Sequence, residues 1–283
     1  MAFSPEQEQL EKNIPDYTPQ KTDQESKTSQ FSGFLPEISM KMENLPSQGK
    51  AYPQGATVKY RPYQYGEVKK INQSNLTPIE QFKVILEGIE TNFDKYQLSL
   101  EDAMYIAILR KISTINDSKV LIKYRCNHCD KVGEFEMPTK EIEFYDLQVP
   151  SLPMKANFSF GQLDFSLFTV QDFIDLQEMG DDYDKDMAYM AKCCVNKSFD
   201  AAYNLIYKMQ QRQDIAILEK IDSYLRHGIK PVEHTCQNKY TDKKGEEKTC
   251  GRKVSVGLDG GQAIILPFRK DQVDVESNIS FGN

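Results

Sequence analysis

Four of the six cysteines fall into two pairs more than a hundred residues apart, Cys126 with Cys129 and Cys236 with Cys250. A metal ion joining both pairs would force two remote stretches of chain into one module, so this feature restricts the fold more than any other. Cys126-Asn127-His128-Cys129 lies between two runs of β type, Val120 to Arg125 and Lys131 to Met137, the layout of one half of a zinc ribbon. The second pair is spaced more widely. Tyr240 to Lys248 is polar and holds Gly245, so it can form a hairpin that returns Cys250 to Cys236, with Gly251 and the strand-like Val254-Ser255-Val256 following.

Thiolates are soft and anionic, and four of them complete a closed tetrahedral zinc site with no position left for substrate or activated water. The expected metal is therefore structural, held by Cys126, Cys129, Cys236 and Cys250. The alternatives are a disulfide pair or unrelated thiols; Cys-x-x-Cys between strands favours the joined site. A thioredoxin-type redox motif is disfavoured, because Cys129 leads into a strand with Val132 and Phe135 and not into a helix N-terminus. His128 or His234 could replace one thiolate, although His128 falls inside the knuckle facing solvent and His234 reads as a surface or supporting donor. His227 is expected in the last turn of a helix, favoured there by the macrodipole. Cys193 and Cys194 share a helical pattern with Met187, Met190 and Ala191 and read as buried reduced thiols.

A chain of 283 residues with 39% hydrophobic content can form one large or two modest domains. No apolar run is long enough to cross a bilayer, and the N-terminus has no basic start or apolar stretch of a signal peptide, so synthesis in a reducing cytoplasm is expected. A net charge of −7 argues against general nucleic-acid affinity. The local exception is the run from Lys239 to Lys253, where Lys239, Lys243, Lys244, Lys248, Arg252 and Lys253 outnumber Asp242, Glu246 and Glu247.

The expected fold is α+β: a zinc-ribbon-like β module with an α-helical insert, preceded by a helical hairpin and an extended N-terminal arm. Residues 1–40 are polar and read as a flexible or partner-docking arm, and 41–75 as an extended segment rich in Pro and Gly turns. Residues 76–118 read as the helical hairpin. Thr77-Pro78-Ile79-Glu80 supplies a capping box and Phe82, Ile85, Leu86 and Ile89 an apolar stripe; Ser99-Leu100-Glu101-Asp102 opens the second helix. The two halves of the zinc-stapled module take 119–168 and 229–268, the first including alternation toward Val149 and a hairpin around Gly161, the second including a short strand or docking segment at Ala263 to Phe268. Between them, 169–228 is the insert, with start signals at Thr169 and Asp172 and at Ser198. The acidic Asp181-Asp182-Tyr183-Asp184 reads as a solvated helix junction, and 269–283 as a polar tail.

No phosphate loop, no His-Glu-x-x-His and no Gly-x-Ser-x-Gly occurs, and two of only three histidines neighbour the cysteines. The chain therefore reads as a non-enzyme with a structural or binding role and no small-molecule substrate. Tyr52, Tyr60, Tyr63 and Tyr65 are candidate interface anchors, local packing being the alternative.

The phrase Leu45-Pro46-Ser47-Gln48-Gly49, with Tyr52-Pro53, Gly55, Val58, Arg61-Pro62 and Glu67, resembles the baseplate hub protein family of T-even-type contractile-tailed bacteriophages. The order of parts is similar too, including a strand that runs into Tyr124 to Cys129; the wide spacing from Cys236 to Cys250 departs from it. The resemblance implies a non-catalytic virion component at or near the central hub of a tail baseplate, partnered by hub, tube or wedge proteins and assembled in the host cytoplasm. An assembly chaperone absent from the mature virion is an alternative. A zinc-ribbon nucleic-acid-binding regulator using Lys239 to Lys253 is another.

Overall fold

The computed structural model describes residues 37–71, 76–114, 119–180, 182–241 and 245–256. The docking segment at 263–268, the polar tail and nearly all of the N-terminal arm lie outside them. In chain order the elements are β1 (Ile38–Met40), β2 (Val58–Tyr60), α1 (Tyr65–Ile71), α2 (Pro78–Leu86), β3 (Ile89–Thr91), α3 (Leu100–Thr114), β4 (Lys119–Arg125), β5 (Val132–Pro138), β6 (Phe144–Tyr145), β7 (Met154–Phe158) and β8 (Gly161–Phe165). They continue with α4 (Val170–Met179), α5 (Lys185–Cys193), α6 (Phe199–Tyr207), α7 (Arg212–Leu225), β9 (Gly228–Ile229), β10 (Val232–Thr235), β11 (Lys239–Thr241), β12 (Glu247–Thr249) and β13 (Lys253–Val256). The fold is mixed α+β, with seven α-helices and only small antiparallel sheets among the described residues.

Local sequence sets the helix starts. Thr77 Oγ1 accepts the Glu80 N–H at 3.2 Å while the Glu80 carboxylate accepts the Thr77 N–H at 2.7 Å, closing the capping box of α2. Thr169 and Asp172 close the same reciprocal pair on α4. Ser99 Oγ accepts the Asp102 N–H at 3.1 Å to start α3. Asp184, the last of the acidic stretch, caps α5 through the Met187 N–H at 3.0 Å. Ser198 occupies the N-cap position of α6 without a side-chain cap bond.

The connection from α2 to α3 is not a bare turn. It carries β3, which pairs with β2, and β2 pairs in turn with β1, giving a three-stranded sheet in the order β1-β2-β3. The expected helical hairpin is thus two helices separated by a sheet strand. Residues 65–71, expected to be extended, form α1. Their anchor is Glu67, which accepts the Gln64 N–H at 2.8 Å and binds two arginines.

Two apolar cores form. The first unites Phe82, Ile85 and Leu86 of α2, Ile106 and Ala107 of α3, Val58 and Tyr60 of β2, and Val120, Ile122 and Tyr124 of β4, and it reaches Cys126 and Cys236. The second gathers Phe158, Leu163 and Phe165 of the β7–β8 hairpin with Met190 and Cys193 of α5, Ile206 of α6 and Leu225 of α7. The β7–β8 hairpin therefore packs with the helices that follow it. β6 and β9 pair Phe144 with Ile229, which brings the chain back after α7 beside the place it left before β7.

Three of the four candidate interface tyrosines are used internally. Tyr60 and Tyr63 are buried, and Tyr52 donates its hydroxyl to Asp102 at 2.5 Å; only Tyr65 is open to solvent, at 81% exposure. His227 also differs from the expectation of a charged side chain at a helix end. It is buried beyond α7, with Nδ1 2.7 Å from the Leu225 carbonyl and Nε2 3.3 Å from Ser99 Oγ, and burial lowers its pKa so that the neutral ring is favoured.

Candidate metal centre

The first knuckle grows out of the β4–β5 hairpin. The Cys126 N–H donates to the Lys131 carbonyl at 3.0 Å and the Asp130 N–H to the Cys126 carbonyl at 2.8 Å, with Asp130 in the left-handed region at φ 56°. The second knuckle repeats the pattern at the end of the β10–β13 pair. The Cys236 N–H donates to the Arg252 carbonyl at 2.8 Å and the Gly251 N–H to the Cys236 carbonyl at 3.0 Å, with Gly251 at φ 64°. Cys236 thus corresponds to Cys126, Cys250 to Cys129, Gly251 to Asp130 and Arg252 to Lys131. The difference is length: thirteen residues separate the second pair of cysteines where two separate the first. The extra chain is the β11–β12 hairpin, closed at its base by the Cys250 N–H on the Asn238 carbonyl at 2.9 Å.

Cross-contacts hold the knuckles together. Lys131 Nζ donates to the Lys239 carbonyl at 2.6 Å, and Asn238 Nδ2 donates to the Lys131 carbonyl at 3.2 Å. Beneath them His234 of β10 stacks flat on Phe135 of β5, with ring centroids 3.9 Å apart, and Tyr124 packs against both. Burial first, and then a hydrogen bond to the Cys236 sulfur, push the Tyr124 hydroxyl up to about 12. Of these residues only His234 was read from the sequence as a supporting donor, and it takes part through its ring stack. Lys131, Asn238 and Tyr124 carry no local pattern that marks them; only their adjacency to cysteines does.

The four sulfurs converge. Cys126 Sγ lies 3.7 Å from Cys250 Sγ, Cys129 Sγ lies 3.9 Å from Cys236 Sγ, and all four lie within 4.8 Å of one another. A disulfide needs sulfurs about 2 Å apart, and all six cysteines are free. A zinc tetrahedron with bonds of about 2.3 Å has edges of about 3.8 Å, which matches both closest pairs, so the donor set fits a four-thiolate metal. No histidine nitrogen belongs to the cluster among the described residues. His128 is exposed at the tip, edge-on to Tyr240, and His234 is committed to its stack.

The electrostatics favour a cation. The N–H groups of Cys129 and His128 point at the Cys126 sulfur and pull its pKa down to about 7. Burial, and the neighbouring sulfurs of Cys126, Cys236 and Cys129, push Cys250 up to about 11. Four sulfurs this close cannot all ionise without a compensating positive charge, which a divalent soft metal would supply. Cys193 and Cys194 lie apart from this cluster in the second core, where burial raises both thiols above their ordinary range.

The lysine-rich tip is less basic than its composition implies. Lys239 pairs with Glu247 and Lys248 with Glu246, each at 3.2 Å; Lys243 and Lys244 lie outside the described residues. No helix of the described residues is long and apolar enough to cross a membrane.

No curated protein and no solved structure matches the chain. Residues 36–265 match the family described as T4 bacteriophage base plate protein. That span contains both knuckles and every described element from β1 to β13, and it covers most of the sequence: the chain belongs to the T4-type bacteriophage baseplate protein family.

Proposed function

We propose that this protein is a non-catalytic structural subunit of a contractile-tail baseplate, placed at or near the central hub, and that Cys126, Cys129, Cys236 and Cys250 hold one structural zinc ion. The observation that carries the role is the family match from residue 36 to residue 265. The zinc assignment is supported by four convergent sulfurs at tetrahedral edge distances. On this reading the two knuckles and the β4–β5 and β10–β13 pairs that carry them form a zinc-ribbon-like module, with the β7–β8 hairpin packed among the helices inserted between its halves. The partners are other hub, tube or wedge proteins, and the chain is made and assembled in the host cytoplasm. A closed thiolate site gives the metal no open position, which agrees with a role in holding shape and not in chemistry.

Two measurements test the two parts. Elemental analysis of the purified chain should give about one zinc per chain, lost together with cooperative unfolding in Cys126→Ser and in Cys250→Ser. Zinc retained in Cys250→Ser would separate the knuckles and sink the joined site. Quantitative mass spectrometry of purified baseplates should find the chain at a fixed ratio to other subunits; its presence only in assembly intermediates would instead identify a chaperone. A nucleic-acid-binding regulator gains little from the β11–β12 hairpin, because its described lysines, Lys239 and Lys248, are already paired with carboxylates.

A further inference from the structure

An open groove of about 720 Å³ lies between β4 and β13, walled by residues 123–128 on one side and 252–256 on the other. Each of these strands has a single partner among the described residues, β5 for β4 and β10 for β13. Antiparallel pairing alternates, so the direction of each residue's N–H and C=O follows from one known bond. The Cys126 N–H bonds to Lys131 on the β5 side, so Tyr124 and Ile122 also face β5, while Lys123 and Arg125 turn their backbone groups away from it. The Cys236 N–H bonds to Arg252, so Val254 faces β10, while Lys253 and Ser255 turn theirs outward. Two sheet edges with no partner among the described residues therefore border one groove and meet at the thiol cluster.

The rim is basic. Lys123, Arg125, Arg252 and Lys253 are all exposed, and only Arg125 is neutralised by a described carboxylate, Asp130 at 2.8 Å. This cluster sits on a chain of net charge −7. Side chains of a strand alternate between faces, so a segment with carboxylates at every second position would set all of them on one side, opposite Lys123 and Arg125. Open edges offer acceptors as well as donors. A peptide backbone satisfies both, whereas phosphate oxygens satisfy donors alone, so a polypeptide suits the groove better than a nucleic-acid backbone.

We propose that the groove between β4 and β13 binds an extended acidic segment of a neighbouring baseplate protein as an added strand. The proposal rests on the scaffold reading for the source of its partner but is tested without a particle. The probe is a fluorescein-labelled peptide of about ten residues, a strand length, alternating Glu with Thr; binding to the full zinc-loaded chain is followed by anisotropy. Saturable binding is expected, weakened about tenfold or more in the Lys123→Glu, Lys253→Glu double variant. Ser255→Pro, which removes one outward N–H without touching charge or the β10 ladder, should weaken it as well. Zinc content and thermal midpoint establish that each variant is folded. A peptide of equal charge with Pro at the Thr positions should fail to bind.

Equal binding of the Pro peptide, insensitivity to both variants, tighter binding of a single-stranded oligonucleotide, or no peptide binding by the folded parent would each overturn the proposal. A chain that enters baseplates at a fixed ratio yet binds no peptide would sink the groove alone and leave the scaffold role standing.

Discussion

Gly133 shows how far the four-cysteine module depends on single atoms. A Cβ added there would lie 2.6 Å from the Tyr124 ring and hydroxyl, and that ring packs against the stacked Phe135 and His234 with its hydroxyl bonded to the Cys236 sulfur. Gly133→Ala should therefore cost about 1–3 kcal/mol in urea unfolding and lower zinc retention under a competing chelator; a variant as stable as the parent would show that the ring moves freely. His227 makes a second prediction, in pH. Its folded pKa is depressed below an unfolded value of about 6.5 by burial, which outweighs the attraction of Asp102. Above that value the ring is neutral in both states and stability is complete. As pH falls below it, the unfolded chain binds the proton first and stability is lost progressively until the folded pKa is reached. Urea midpoints measured from pH 7 downward should fall more steeply for the parent than for His227→Gln, and parallel curves would remove His227 from the account.

At the level of elements, α1, α2 and α3 are joined through one buried ionic group. Burial pushes the Glu67 carboxyl up, but Arg61, the Gln64 N–H and Arg110 together outweigh that and leave it below its usual range. Arg110 on α3 is fully buried; it reaches Glu67 at 3.1 Å, donates to the Arg61 carbonyl at 2.7 Å and to the Ile85 carbonyl, and covers the Tyr63 ring. Removing one partner of such a group leaves buried charge and carbonyls unmatched, so Arg110→Met should destabilise the fold by about 3–5 kcal/mol. Thr77→Ala, which opens the α2 capping box at an exposed end, should cost only about 1 kcal/mol; urea unfolding of both separates the two mechanisms, and equal losses would contradict this ordering. The contrast also explains what the sequence could reveal. Thr77 and Glu80, Thr169 and Asp172, and the first knuckle carry their signals within a few residues, so they are readable. Glu67 and Arg110 are 43 residues apart, Ser99 and His227 are 128 apart, and β3, β6 and β9 are too short to show a period. Their structure comes from pairing across the chain, which no local pattern encodes. The residues of the opening phrase were legible as a resemblance, but their physical use was not: Ser47 and Tyr52 bind buried Asp102, and Arg61 binds Glu67.

Across the whole molecule, the two cores divide the work. Cys126 and Cys236 border the first core and the helices after Val170 largely build the second, so metal loss should be felt unequally. Hydrogen exchange after zinc chelation should show faster exchange at Tyr124, Phe135 and His234 while Phe165, Ile206 and Leu225 keep their protection; uniform loss would mean that the cores unfold as one. The separation of the knuckles has one more consequence. Cys129 and Cys236 stand 107 residues apart, so a shared ion acts as a cross-link across a very long loop, and by the loop-entropy estimate used for disulfides a tie over about 100 residues is worth about 4–5 kcal/mol. That contribution is absent from every nascent chain until residue 250 has emerged from the ribosome. On the zinc reading proposed above, the last thiol would work as a checkpoint, leaving products that end before Cys250 without that tie.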